Sequence, residues 1–325
     1  MVKRILFTAA ALVCAQALTA GVANPKDLPA GTKWILSLDL RSAQASPLVT
    51  ELTEKIDPAK RRSAQAKIAA FKALFGIDLL KDIQDVVVAG SGSSDKGGVA
   101  FIYASLDAER LTTILAGNST FTSSDYSGLK LLSWLDDSDK KQKYGSFARP
   151  GLFIISDNKP ALCEALDVLS GKAAGLSADS PLRPAFASDG AFLTVMAVDV
   201  PSVVGEQPKA QALRQAQALC LRISAAQPET LSATLAVQAT SPDTALQIRQ
   251  ALTGIQALVL LRAAEEPEQA AIAQLAKIAG EGSSVSMTLD LPKTVIENAI
   301  RQREARKAAQ AEAAAAPANP AAATN

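Results

Sequence analysis

The chain has 325 residues, with 33 Lys and Arg against 32 Asp and Glu and a formal net charge of +1, so its charge balance calls for no polyanionic partner such as nucleic acid. It contains no histidine, which excludes histidine-dependent serine and cysteine hydrolases and removes the commonest zinc and haem ligand. Hydrophobic residues make up 48% of it, enough for a large core divided between two domain-sized units.

Lys3 and Arg4 form a short positive segment ahead of the apolar run Ile5 to Val13. That run is too brief to cross a bilayer as a helix and has the layout of a secretory signal. Gly21 and Ala23 are the small residues that a signal peptidase requires, which places the preferred cut between Ala23 and Asn24 and the second choice after Ala20. Cys14 follows Val13 inside the apolar run, an unsuitable context for lipidation. Residues 1–23 are therefore read as a signal peptide, and the expected compartment is the periplasm or the exterior. No later segment is long or apolar enough to span a membrane. Cleavage removes two bases and no acid, and about 300 residues remain.

The mature chain repeats one device: a β-like run, an Asp at or near its end, then a helix-like run. It occurs at Asp39, Asp107 and Asp157 in a first unit, residues 24–175, and at Asp199, Asp243 and Asp290 in a second, residues 191–300. Asp, Ser and Pro suit a helix start because the first helical N–H groups need acceptors and Pro has no N–H to leave unpaired. These aspartates are read as structural. Helices are expected over Pro47–Ile56, Ala64–Leu74, Ala108–Leu115, Ala161–Leu169, Lys209–Ala216, Thr244–Ala263 and Glu268–Ile278. Basic residues gather at Lys55, Lys60, Arg61, Arg62, Lys67 and Lys72, with Glu51, Glu54 and Asp57 beside them, the pattern of a solvated helix face.

Each unit carries a hairpin signal. Val86–Val88 and Gly97–Leu106 flank Gly90-Ser91-Gly92-Ser93; Ala218–Ala225 and Leu231–Gln238 flank Gln227-Pro228-Glu229. Leu219, Leu221 and Ile223 alternate with Cys220, Arg222 and Ser224, as in an antiparallel strand with one packed and one wetter face. Leu129 to Trp134 marks a further strand. The expected fold is α+β: two similar tandem units, each a mainly antiparallel sheet with helices on one face. Residues 176–190, in a stretch rich in Ala, Ser, Gly and Pro, are expected to link the units. Residues 301–325 are expected to form a charged helix end and a disordered Ala/Pro tail.

Phe75-Gly76-Ile77-Asp78 and Ala251-Leu252-Thr253-Gly254-Ile255-Gln256-Ala257-Leu258, with this order of elements, resemble secreted bacterial proteins of unknown function common in planctomycete and verrucomicrobial envelopes. The resemblance implies fold and compartment only.

Ser93-Ser94-Asp95-Lys96, Ser156-Asp157-Asn158 and Lys293-Thr294 follow the order of the acyl-enzyme motifs of penicillin-binding proteins. Such a serine should open a buried helix, whereas Ser93 lies in a glycine-rich turn, and Val295 stands where the third motif needs glycine. Gly92 and Gly97 have phosphate-loop spacing, but Gly98-Val99 replaces the required Lys and Ser/Thr. Asp136, Asp137 and Asp139 lack the spacing and glycine of a calcium loop. No cofactor or metal is expected. Cys163 and Cys220 remain after processing, one per unit; an oxidising compartment would let them pair, and the alternative is two small buried apolar side chains. Tyr103, Tyr126, Trp134 and Tyr144 fall on or near first-unit strands, where they either line a shared binding surface or fill core and hairpin edges. The chain is thus read as a non-catalytic envelope protein that binds an unknown partner or ligand through an open sheet face or a cleft between units. The alternatives are a serine acyltransferase or hydrolase using Ser93 and Lys96, and a carrier of apolar molecules.

Overall fold

The computed structural model describes residues 23–55, 57–92, 97–187, 190–204 and 213–315. A 3-10 turn, Pro25–Asp27, opens them, followed by β1 (Trp34–Asp39), α1 (Leu40–Ala45), α2 (Pro47–Glu54), α3 (Pro58–Phe75) and the strands β2 (Ile83–Gly90) and β3 (Val99–Ala104). Next come α4 (Ala108–Ala116), β4 (Thr122–Tyr126), β5 (Leu129–Leu135), β6 (Gln142–Arg149), β7 (Leu152–Ser156) and α5 (Lys159–Leu169). Residues 191–315, which hold the expected second unit and the helix that extends beyond it, contain β8 (Ala191–Val198), α6 (Val200–Val204), β9 (Ala216–Gln227), β10 (Thr230–Ala239), α7 (Pro242–Leu261), α8 (Pro267–Leu275), β11 (Ala276–Glu281), β12 (Ser284–Pro292) and α9 (Lys293–Ala315). No helix among the described residues is long and apolar enough to cross a membrane.

The fold is α+β with an antiparallel sheet. In place of one sheet per unit, all twelve strands form a single sheet in the order β11-β12-β10-β9-β8-β1-β2-β3-β7-β6-β5-β4. β1 is the junction. It pairs antiparallel with β2 through Ile35 and Ala89 and with β8 through Ile35 and Met196, so each unit completes its backbone hydrogen bonding on the same strand and neither keeps a free edge at the join.

The helical cover changes sides at this junction. Call the face carrying Ile35 the front. In the first unit the front strand residues Ile35, Val87, Phe101, Tyr103 and Ile154 pack under Leu162, Ala165 and Leu166 of α5, together with Leu28, Leu176, Leu182 and Ala185. A buried aliphatic side chain of this kind contributes about 1.5–3 kcal/mol relative to exposure. In the second unit the cover lies on the back: Val200 and Val203 of α6 join Ala197, Val237, Leu219 and Trp34, and Ala245 of α7 meets Val285 and Ala239. α8 and α9 also pack on β12.

Three expectations are corrected. Residues 176–187 do not form a free linker; Leu176, Leu182 and Ala185 are buried in the front core, and Leu176 N–H donates to the Leu28 carbonyl at 2.9 Å. The helix expected to run to Ala216 gives way to a 3-10 turn at Leu213–Gln215 and the start of β9. The helix expected through Ile278 ends at Leu275, because Ala276 to Glu281 pairs along β12 as an edge strand. The tail from residue 316 onward lies outside the described residues.

Helix starts follow the expected physics with a shift of residue. Asp39 and Asp107 accept from Ser42 and Arg110 N–H, each at 2.9 Å. At the third and fifth positions the acceptors are Asn158 and Ser241 instead. Asp290 stays inside β12 and accepts from the Ser232 hydroxyl at 2.8 Å. Asp199 takes the left-handed conformation, φ 50°, and its ion pair with Lys33 at 2.6 Å holds the carboxyl below its ordinary range.

Candidate functional site

Front-facing residues of the second unit lie in one row across the sheet. Met196 is opposite Cys220, Cys220 opposite Ala236, Ala236 opposite Ser286 and Ser286 opposite Ala279. With the second-unit helices on the back, nothing among the described residues covers Ala236, Gln238, Ala279 or Ser284, all of which are exposed. Ala236, Ala279 and Ser284 have small side chains, and the sheet surface here forms a shallow depression of about 500 Å³ that also includes Ala218 and Gly280. This is the wetter face expected from the alternation of Cys220, Arg222 and Ser224. The alternation could not show that no helix would lie over it.

Charged groups of both signs frame the depression. Lys277 and Asp290 approach at 3.5 Å, and Glu281 lines the depression at the other end of β11. Arg222 donates to the Pro184 carbonyl at 3.2 Å, at the border with the first unit. The surface is thus lined by small side chains at its centre, with charged groups of both signs at its rim. Among the described residues no group of His, Cys, Asp or Glu side chains is arranged to hold a metal ion.

The four aromatics do not share a surface. Tyr103 is fully buried in the front core, which Tyr126 and Tyr144 flank. Trp134 is buried too, but its register with Lys143 puts it on the back face, since Leu132 pairs with Gly145 and Gly145 with Ile155, opposite in parity to Ile154. The Tyr126 hydroxyl donates to Asp167 of α5 at 3.0 Å and Ser127 donates to the same carboxylate at 2.6 Å. Ser127 and Tyr126 hold the Asp167 carboxyl below its ordinary range. Their role is to bind the β4–β5 hairpin to α5. Cys163 lies on α5 beside Tyr126, whereas Cys220 lies on β9 against the front core; they carry separate thiols and no disulfide joins them.

The second and third acyl-enzyme motifs lie apart: Ser156 ends β7 and Lys293 follows β12, seven places away in the strand order. Ser93 and Lys96 lie outside the described residues, although a side chain on the adjoining Gly97 would meet Asp157 at 2.7 Å. Ser156 donates to the Gly98 carbonyl at 2.8 Å and Asn158 caps α5, which is structural work. Lys293 follows Pro292 at the far end of β12. Register through Trp34, Ala197, Leu219 and Val237 aligns Gly90, the end of β2, with Val285, eight residues before Lys293 and about 26 Å from it along the strand direction. Lys293 instead pairs with Glu51 of α2, and Lys55 with Glu297, joining α2 to α9. The remaining basic cluster is spread along α3, with Arg61 donating to the Glu54 carbonyl at 2.6 Å and Lys72 paired with Asp78 at 2.9 Å.

A polar cluster that local spacing could not reveal lies where the chain enters the fold. Asp27 accepts from Tyr103 at 2.9 Å and from Arg149 at 2.9 and 2.6 Å. Burial and the neighbouring Asp27 carboxylate push the Tyr103 hydroxyl up, so it remains a donor. Asp85, beside Tyr103 in the sheet, accepts from Arg41 at 3.0 Å and from Ala23 N–H at 3.3 Å.

No protein-family model matches the chain, and no curated protein matches it. A solved structure titled "Structure of crystal form I of TP0453" aligns over 86% of this chain and 97% of its own, with a TM-score of 0.48 and 12% identity. At that level the likeness carries no functional argument.

Proposed function

We propose that this chain is an exported, non-catalytic binding protein of the cell envelope, and that a helical segment of another envelope protein seats on the bare front face of β9, β10, β12 and β11. One observation carries the reading: the front face that α5 covers in the first unit has no cover among the described residues in the second, where Ala236, Ala279, Ser284 and Ser286 are small enough for a helix backbone to approach closely. Lys277 and Arg222 against Glu281 and Asp290 supply charges of both signs for orienting a partner. Export is supported by Lys3 and Arg4, the short apolar run and the small residues Gly21 and Ala23, and by the resemblance to secreted planctomycete and verrucomicrobial proteins.

The test is a photoreactive amino acid at Ala236, activated in cells. A discrete protein adduct whose crosslinked peptide is an amphipathic helix supports the reading; a chain that is surface-accessible in the envelope yet gives no adduct from this position counts against it.

A second reading, a carrier of apolar molecules, draws on a different feature. Ile255, Leu258 and Leu261 of α7 are exposed, Leu261 to 81%, at helical spacing on one side. Lipid released by organic extraction of natively purified protein would favour that reading, and clean spectra would remove it.

A further inference from the structure

We propose that hydrolysis between Ala23 and Asn24 creates an α-ammonium that the folded protein holds on Asp85. The cut itself rests on the export reading; the capture is a property of the fold. Asp85 is 5% exposed, and its one charged hydrogen-bonding partner, Arg41, is largely in solvent with a side chain 48% exposed. Asp39 stands nearby with the same sign, and burial pushes the Asp85 carboxyl up. A buried carboxylate so placed is only partly compensated by one half-exposed guanidinium. Among the described residues its other donor is a backbone amide at long range, Ala23 N–H at 3.3 Å. The next nitrogen in the chain, Asn24 N, donates at 3.4 Å to Tyr103 Oη, and Tyr103 is the register partner of Asp85.

In the hydrolysis water supplies the hydroxyl that completes the Ala23 carboxylic acid, the C–N bond breaks, and the Asn24 nitrogen takes the proton. A membrane signal peptidase catalyses the step, and solvent then supplies the proton that makes the amine an ammonium. Ala23 lines a pocket of about 50 Å³ together with Asp39, Arg41, Asp85 and Thr194, so its departure opens space beside Asp85, one residue step from the new terminus. An ammonium has three donors and a full charge, which turns one long amide contact into a charge-assisted bond. Asp27 does not compete, because Arg149 and Tyr103 already occupy its oxygens. Folding and processing are thereby linked: the chain that starts at Asn24 is the most stable form.

The experiment uses protein beginning at Asn24, with its α-amine free or acetylated, in the native background and with Asp85→Asn. Acetylation is expected to lower the folding equilibrium constant about tenfold or more in the native background and to leave the Asp85→Asn protein unchanged. An equal effect in both backgrounds, or none in either, overturns the capture. Should Asp85→Asn fail to fold, the pH dependence of reductive methylation reads the α-amine directly; an affinity for its proton above the ordinary range of about 7.7–8.0 is expected, and an ordinary value overturns the capture. Intact mass of protein recovered from the envelope is expected to begin at Asn24. A start at Gly21 overturns the cut while leaving export standing, and an uncut cytoplasmic chain overturns both.

Discussion

Asp27 grips the Arg149 guanidinium with both carboxylate oxygens, at 2.9 and 2.6 Å, and so fastens the first turn of the described chain to the end of β6. The Tyr103 hydroxyl shares the same carboxylate. Asp27→Asn removes the charge while keeping the shape, which leaves a guanidinium and a buried phenol with a weaker acceptor. The expected loss is about 3 kcal/mol, the low end for breaking a buried pair, because the Arg149 side chain is 40% exposed and water screens it. Urea denaturation measures it, and Arg149→Lys should lose less than Asp27→Asn.

Ser146 gives a prediction of the opposite sign. Its hydroxyl is buried in β6 with no hydrogen-bond partner among the described residues. Removing the unsatisfied oxygen in Ser146→Ala should raise stability by about 1 kcal/mol, read as a higher denaturation midpoint with an unchanged slope.

Gly175 is required by a close approach. A Cβ there would meet the Lys26 carbonyl oxygen at 2.0 Å, at the point where Gly175 bridges to Pro29. Gly175→Ala should therefore cost about 1–3 kcal/mol and loosen the Ala23–Leu28 segment, seen as faster proteolysis near Lys26 with the remainder of the sheet intact.

Asp167 sets a pH dependence. Its carboxyl lies below the ordinary value of 3.8, with the Ser127 hydrogen bond the largest cause and Tyr126 adding to it. A carboxyl depressed in the folded state stabilises it above the unfolded value, and that stability is lost as pH falls through the folded value. Asp167→Asn should flatten the fall in melting temperature below pH 3.8, with little change in slope near neutrality.

Local patterns in the chain foretold much of the architecture. Alternation in Leu219 to Ser224 and the turn at Pro228 marked the β9–β10 hairpin, and the runs around Leu111, Leu166 and Ile248 marked α4, α5 and α7. Long-range pairing escaped. Strand periodicity shows that Ile35 and Trp34 face opposite ways, but not that β1 serves two neighbours at least 46 and 155 residues away in sequence, which is what merges the strands into one sheet. β11 was hidden for a related reason: Ala276 to Glu281 is small and polar, with helical propensity at its start, and only the neighbouring β12 makes it a strand. The bare front face was half legible. Its polarity followed from Arg222 and Ser224, while its exposure depends on α6 to α9 all choosing the back. The Asp27, Tyr103 and Arg149 cluster draws on three distant segments, so no spacing could announce it.

A crosslinking scan compares the bare front face, the proposed partner site, directly with the exposed row of α7. Photoreactive residues are placed singly at Ala236, Ala279 and Ser286 on the front and at Ile255, Leu258 and Leu261 on the back, and adducts are collected from intact cells. One common protein partner is expected from the three front positions, abolished by Gln238→Arg in a protein that still folds. Adducts confined to Ile255, Leu258 and Leu261 would contradict it.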